Sequence, residues 1–269
     1  MLKKHLIFHF FIPDDYETNI AIRMHYACLH KYSGLFDSAE VVISYTKDSE
    51  KYIKSVQFSL LNVLKIRDVR MIVKENDLFC EAQTLNEYFC NNIQYFNNTL
   101  VFFAHTKGVT NVNSSCYYEY GIERFLMWIY ALYVYSLEFI DGGENMLIFA
   151  HLGRIRAIYG PMQTKSGDGV FYPGAFYWLN PMTIKNDINS GEISLPLFDN
   201  RVFAERFPLM YKYVETPKYR MGKSDGHNGV ISNDGDFDHY YGDFDEIIKY
   251  YGEYDLYMKG YNEMLKQIQ

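Results

Sequence analysis

Two hydrophobic patterns alternate along the first hundred residues. Short, largely apolar runs such as HLIFHFFI, EVVISY, VRMIV and LVFFA read as strands, the last of them buried. Between them, apolar residues recur at close to helical spacing, most clearly at Ile20, Ile22, Met24, Ala27, Cys28 and Leu29. The pattern predicts a strand at 4–12 and a helix at 18–32 stopped by Ser33-Gly34. A strand at 40–45, a helix at 51–64, a strand at 69–73, a helix at 78–91 and a strand at 100–104 follow. Such alternation favours a parallel sheet covered by helices, with the ligand outside the carboxyl ends of the strands.

The second half is less regular. Residues 117–140 read as one long helix or two, containing FLMWIYALYVYSLEFI at 125–140. That run is short for a membrane span, which needs about 20 residues, and Glu138 interrupts it. A buried helix is expected, with a helix resting on a membrane or in an oligomer interface as the alternative. A strand at 155–159, a turn at 167–169 and an aromatic strand-and-turn segment at 170–179 follow. Next come a helix at 203–213, a Gly-, Ser-, Asn- and Asp-rich loop at 223–235, and a C-terminal helix or helix pair at 244–269. With no internal repeat and no strong linker, the chain reads as one domain.

Hydrophobic residues make up 48% of the 269, enough for a sizeable core and too many for global disorder. The net charge of −7 argues against a general nucleic-acid binder, though not against a local basic pocket. Aromatics reach 18%, with 26 Tyr and 20 Phe, which suits stacking on sugars or bases; an AT-rich coding sequence would produce the same bias. Cys28, Cys80, Cys90 and Cys116 form no C-x-x-C pair, so reduced, mostly buried thiols in a cytoplasmic protein are expected. The opening MLKKHLIFHFFIPDDY lacks a small-residue cleavage site and reads as a first strand rather than a signal peptide.

The chemistry concentrates at strand ends. The strand LVFFA runs into His105-Thr106-Lys107-Gly108. Nucleotide-sugar enzymes often carry paired acids there to hold a divalent metal against a diphosphate. Here a cation takes that slot. Lys107 would neutralise a pyrophosphate, His105 would donate to an oxygen, and Gly108 would let the backbone approach closely. A surface turn is the plainer alternative. Asp14 and Asp15 follow the first strand and suit ribose or base recognition, or capping of the next helix. Pro173-Gly174-Ala175-Phe176-Tyr177-Trp178 sets a glycine among rings, either to bulge a core strand or to admit a sugar. The acids in Asn233-Asp234-Gly235-Asp236-Phe237-Asp238-His239 lack calcium-loop spacing and read as a solvated loop; Asp236 and Asp238 are the fallback ligands if Mn²⁺ or Mg²⁺ is used. The absence of G-x-S-x-G, H-E-x-x-H, a Walker loop and G-x-G-x-x-G lowers the hydrolase, zincin, NTPase and dehydrogenase readings.

Taken together these segments resemble a family of glycosyltransferase-like proteins found in bacterial polysaccharide gene clusters and some large viruses. The likeness spans about residues 5–215 and rests on H-T-K-G, preceded by Glu81-Ala82-Gln83-Thr84-Leu85. Gly174, Phe176 and Trp178 match the aromatic segment, and Arg201-Val202-Phe203-Ala204-Glu205 an R-x-x-A-E element. Pro173 and Ala175 depart from the family's Ser and Asn, and Phe207 from its Trp. The resemblance implies a GT-A-like fold with a mostly parallel Rossmann-type sheet. It implies a nucleotide-binding half at 1–112, an acceptor half at 113–215, and a C-terminal loop and helices at 216–269. It further implies transfer of a sugar from a UDP- or GDP-sugar to a glycan acceptor. His105, Thr106, Lys107 and Gly108 would lie at the donor diphosphate, and Asp14, Asp15, Glu81 and Thr84 at the nucleotide. Gly174, Phe176, Tyr177 and Trp178 would meet acceptor or sugar. Glu205 is the favoured base for an inverting transfer and Asp168 the second. Glu205 could equally be a surface carboxylate paired with Arg201, and Asp168 a plain turn residue. The alternatives to a transferase are a catalytically silent glycan- or nucleotide-binding homologue and a membrane-surface scaffold.

Overall fold

A computed structural model describes residues 3–77, 80–92, 99–106, 108–110, 158–159, 164–166, 169–171 and 176–191, with single helical positions between 126 and 137. The strands are β1 (Lys3–Ile12), β2 (Ser38–Tyr45), β3 (Asp68–Glu75), β4 (Thr99–His105), β5 (Ile158–Tyr159), β6 (Thr164–Ser166), β7 (Gly169–Phe171) and β8 (Tyr177–Leu179). The helices are α1 (Ile20–Tyr32), α2 (Ile53–Val63), α3 (Cys80–Asn92) and a fourth, α4 (Pro181–Asn189). The fold is mixed α/β, with a mostly parallel sheet flanked by helices.

Six strands form one sheet in the order β3-β2-β1-β4-β8-β5, and β6 and β7 make a separate antiparallel pair. The pairings β1–β2, β2–β3 and β1–β4 are parallel. From β1 the chain steps outward through β2 to β3, then returns to place β4 on the other side of β1. That reversal makes a topological switch point at the carboxyl ends of β1 and β4, the place where the ligand crevice of an open α/β sheet is expected.

The period of two along β1 explains how both faces are covered. Phe8 and Phe10 point to α1, with ring centroids 6.2 Å from His25 and 5.4 Å from Tyr26. His9 points the other way and meets Thr84 of α3. Both faces are buried from Leu6 to Phe10, so this stretch is a nearly continuous apolar run, broken at His9, rather than an alternation.

β8 differs from the sequence expectation. It runs antiparallel to β4, pairing Val101 with Leu179 and Phe103 with Tyr177, so the regular parallel order stops at β4. Trp178 lies on the core face, 5.2 Å from Phe102 and 5.8 Å from Phe36 between ring centroids. Its indole N–H donates to the Ser136 carbonyl at 2.8 Å. That bond ties the sheet to the helical positions Leu126, Ile129, Tyr130, Leu132, Tyr133, Ser136 and Leu137, all buried. At these positions the run at 125–140 packs into the core, as a buried helix should. No helix among the described residues is long and apolar enough to cross a membrane.

Other boundaries moved by a few residues, with two omissions, β6 and α4. No helix was expected at α4, although its start is signalled: Asn180 caps it by accepting the Met182 N–H at 3.1 Å, and Pro181 occupies the first turn. Cys28 is buried and Cys90 exposed, and both are free thiols, so the expectation of burial holds for the first and not for the second. The elements expected at 203–213, 223–235 and 244–269 lie outside the described residues.

Candidate functional site

The candidate crevice lies where the loops that leave β1, β2 and β4 meet. β4 ends on His105, which pairs with His9 of β1. The next residue, Thr106, donates its backbone N–H to the His9 carbonyl at 3.0 Å. Its side-chain oxygen then accepts the Phe11 N–H at 2.9 Å and lies 3.4 Å from the Phe11 carbonyl. A side chain thus replaces the backbone as β1's partner, and β4 can leave the sheet without orphaning a buried donor. Two residues later Gly108 has φ of +86°, a conformation that favours glycine. His105 is 8% exposed and its ring centroid is 6.1 Å from that of Phe176. Lys107 lies outside the described residues.

On the β1 side, Asp14 is exposed and accepts the Thr46 hydroxyl at 2.6 Å, linking the loops after β1 and β2. Thr46 is held in a tight turn with Ser49, whose hydroxyl accepts the Thr46 N–H at 2.9 Å. Asp15 accepts the Asn19 side-chain amide at 2.9 Å. The helix cap considered for Asp14 or Asp15 belongs to Asn19, whose Oδ1 accepts the Ile22 N–H at 3.2 Å. The same Asn19 amide donates to the Val109 carbonyl at 2.9 Å.

Beneath the crevice, His9 is 2% exposed and joins three elements. Its Nδ1 meets the Thr84 hydroxyl of α3 at 2.8 Å, and its Nε2 the Ser44 hydroxyl of β2 at 3.0 Å. Thr84 is therefore placed inside the protein, 1% exposed, rather than on the crevice wall. Glu81 is buried in the first turn of α3.

Phe176, Tyr177 and Trp178 are each 1% exposed or less. Tyr177 packs on Phe103 with centroids 5.6 Å apart, and Phe176 lies edge-on to Tyr133 at 5.1 Å. Their faces are taken up by the core, which corrects the picture of open rings ready to stack on a sugar. Gly174, Asp168, Glu205, Asp236 and Asp238 lie outside the described residues. Among the described residues no three His, Cys, Asp or Glu side chains converge as a metal site would require. Asp14 and Asp15 instead hold Thr46 and Asn19.

Two shifted titrations fall toward the opposite end of the sheet. Burial pushes the His5 imidazole down to about 4, with Asp68 opposing, and pushes the Glu40 carboxyl up, with Arg70 opposing.

Of the residues that brace the strand ends, Thr106 and Thr84 stand out in the sequence and Asn19 and His9 do not. Asn19 directly precedes the first periodic residue of α1, a helix-start signature. His9 interrupts an apolar strand, and a buried polar side chain must find partners.

No protein-family profile matches the chain, and no curated protein sequence does either. Among solved structures, the chain is similar to mouse xyloside xylosyltransferase 1 in its apo form. The TM-score is 0.32, the identity 10%, and the match covers 71% of each chain. A likeness of that size says nothing about activity.

Proposed function

We propose that the crevice between the carboxyl ends of β1 and β4 binds the diphosphate of a nucleotide sugar, and that the chain is a GT-A-like glycosyltransferase. The observation that carries this reading is the coincidence of two independent features. The strand order reverses between β1 and β4, and the H-T-K-G segment that resembles the glycosyltransferase-like family begins at the end of β4. The positive φ of Gly108 supports it, because a loop without a Cβ there can approach phosphate oxygens closely.

In this reading Lys107 neutralises charge that develops on the departing nucleoside diphosphate, and His105 donates to one of its oxygens. Asp14 and Asp15 meet the ribose or base at the mouth of β1. Thr106 and Thr84 act indirectly, by holding the wall and its support. Glu205 takes the proton of the acceptor hydroxyl, with Asp168 the second candidate, and the donor sugar is held in line for attack. The donor is a UDP- or GDP-sugar and the acceptor a glycan. Mn²⁺ or Mg²⁺ is an alternative charge partner, for which Asp236 and Asp238 are the fallback ligands.

Thermal unfolding with UDP, GDP, CMP, dTDP and UDP-sugars, with and without Mn²⁺, tests the reading, since a ligand specific to the folded state raises Tm. One diphosphate should raise Tm, and Lys107→Ala should abolish the shift. No shift with any nucleotide would refute it. The departures at Pro173 and Ala175 favour a second reading, a binding homologue without turnover. A nucleotide-dependent shift with no sugar transfer to glycan acceptors would select it.

A further inference from the structure

Asn19 is fully buried and uses every polar atom of its side chain. Oδ1 accepts the Ile22 N–H at 3.2 Å. Nδ2 gives one hydrogen to Asp15 Oδ1 and the other to the Val109 carbonyl, both at 2.9 Å. One partner is a donor and two are acceptors, so a single amide orientation satisfies all three. The partners belong to the first turn of α1, the loop after β1 and the loop after β4. The last two follow the adjacent strands on either side of the switch point, and Asn19 and Val109 are 90 residues apart in the chain.

We propose that Asn19 is a positioning residue of the nucleotide crevice, its carboxamide setting the spacing between the β1 and β4 loops before ligand arrives. The proposal rests on the reading of that crevice as a nucleotide site. Capping alone does not explain the residue. Ser, Thr and Asp cap helices about as well, and each offers the acceptor that Ile22 needs. Only a carboxamide can accept for the cap and donate twice as well. The second donor bond falls one residue after Gly108, on Val109, which is itself buried. The H-T-K-G loop is thus anchored at both ends, by Thr106 on Phe11 and by Val109 on Asn19. A loop held in its binding shape loses less freedom when the ligand binds, and affinity rises accordingly.

Asn19→Ser separates the two duties, since the hydroxyl keeps a capping oxygen and lacks the paired donors. Asn19→Asp is the second variant, near-isosteric and without the amide hydrogens. Hydrogen exchange would be followed in the free protein over 105–110 and over α1, and Kd measured for UDP and GDP by calorimetry. Met24→Ala, which opens a cavity under α1, is the control for simple destabilisation. In Asn19→Ser, exchange over 105–110 should rise about tenfold while α1 keeps its protection, and Kd should rise about tenfold. Met24→Ala should lower Tm and leave Kd unchanged. If Asn19→Ser does not fold, Asn19→Asp is held to the same outcomes. Wild-type exchange and wild-type Kd in the variant would overturn the proposal, as would an equal rise in Kd for Met24→Ala. If the wild-type protein binds neither nucleotide, the crevice reading falls, and the exchange result alone decides whether Asn19 links the two loops.

Discussion

Thr106 engages both backbone groups of Phe11 through one side-chain oxygen, accepting the N–H at 2.9 Å and lying 3.4 Å from the carbonyl. This is the physical reason β4 can stop at His105 and then turn. The hydroxyl takes over where the ladder of β4 stops, and Gly108 carries the bend.

Thr106→Val should therefore destabilise the protein by about 1 kcal/mol, the loss of a part-buried hydrogen bond to the Phe11 N–H. Thr106→Ser should recover most of the loss. Urea unfolding of the three proteins at one pH measures both.

Gly108→Ala places a Cβ on a backbone at φ of +86°, which costs roughly 1–2 kcal/mol for an L-residue. The chain relieves that strain by shifting the loop. A fall in Tm of a few degrees should accompany a loss of nucleotide affinity larger than stability alone accounts for. Calorimetric titration beside thermal unfolding distinguishes the two, and unchanged affinity would show that the loop does not touch the ligand.

Trp178→Ala should cost about 3–5 kcal/mol, since it empties the space against Phe102 and Phe36 and leaves the Ser136 carbonyl without its donor. Trp178→Phe keeps part of the packing and should cost less than half as much. An open sugar-stacking ring would behave differently, with stability nearly unchanged and acceptor affinity reduced.

His5 supplies a pH dependence whose sign follows from burial. Its folded value of about 4 lies below the ordinary 6.5, so between these limits the unfolded chain binds the extra proton. Stability should fall as pH drops from 6.5 to 4 and level off below. Glu40 acts oppositely: burial raises it, with Arg70 opposing and Glu87 adding. Its contribution is full at low pH and is lost as pH rises through its folded value. Over pH 6.5 to 4 the wild type should lose on the order of 2 kcal/mol more than His5→Gln, measured by urea unfolding across the range. Parallel curves for the two proteins would remove His5 as the cause.

The first four strands and their three helices were legible because each carries a period that neighbouring turns interrupt. β8 was not, because three residues are too few to show a period and nothing local says that a strand will run antiparallel to its neighbour. The neighbouring strand-end positions of Asp14, Asp15 and His105 were legible, since alternation places strand ends together. The burial of Phe176, Tyr177 and Trp178 was hidden by ambiguity in the rings themselves, as an aromatic run suits a sugar and a core equally well. Thr84 shows a related limit. Its partner His9 is 75 residues away, and no short-range pattern joins them.

The position of β1 at the centre of the parallel strands has a consequence for biosynthesis. β1 is made before either strand that flanks it, and β4 follows only about ninety residues after Ile12. At roughly 5–20 residues per second, the β4 edge of KKHLIFHFFI stays open for about 5–20 seconds during synthesis. The nascent chain carries an unpaired, strongly apolar ribbon over that interval, the kind of segment that invites aggregation or capture by a chaperone. Closing that ribbon and forming the crevice are one event, because the strand that closes it also brings the H-T-K-G loop.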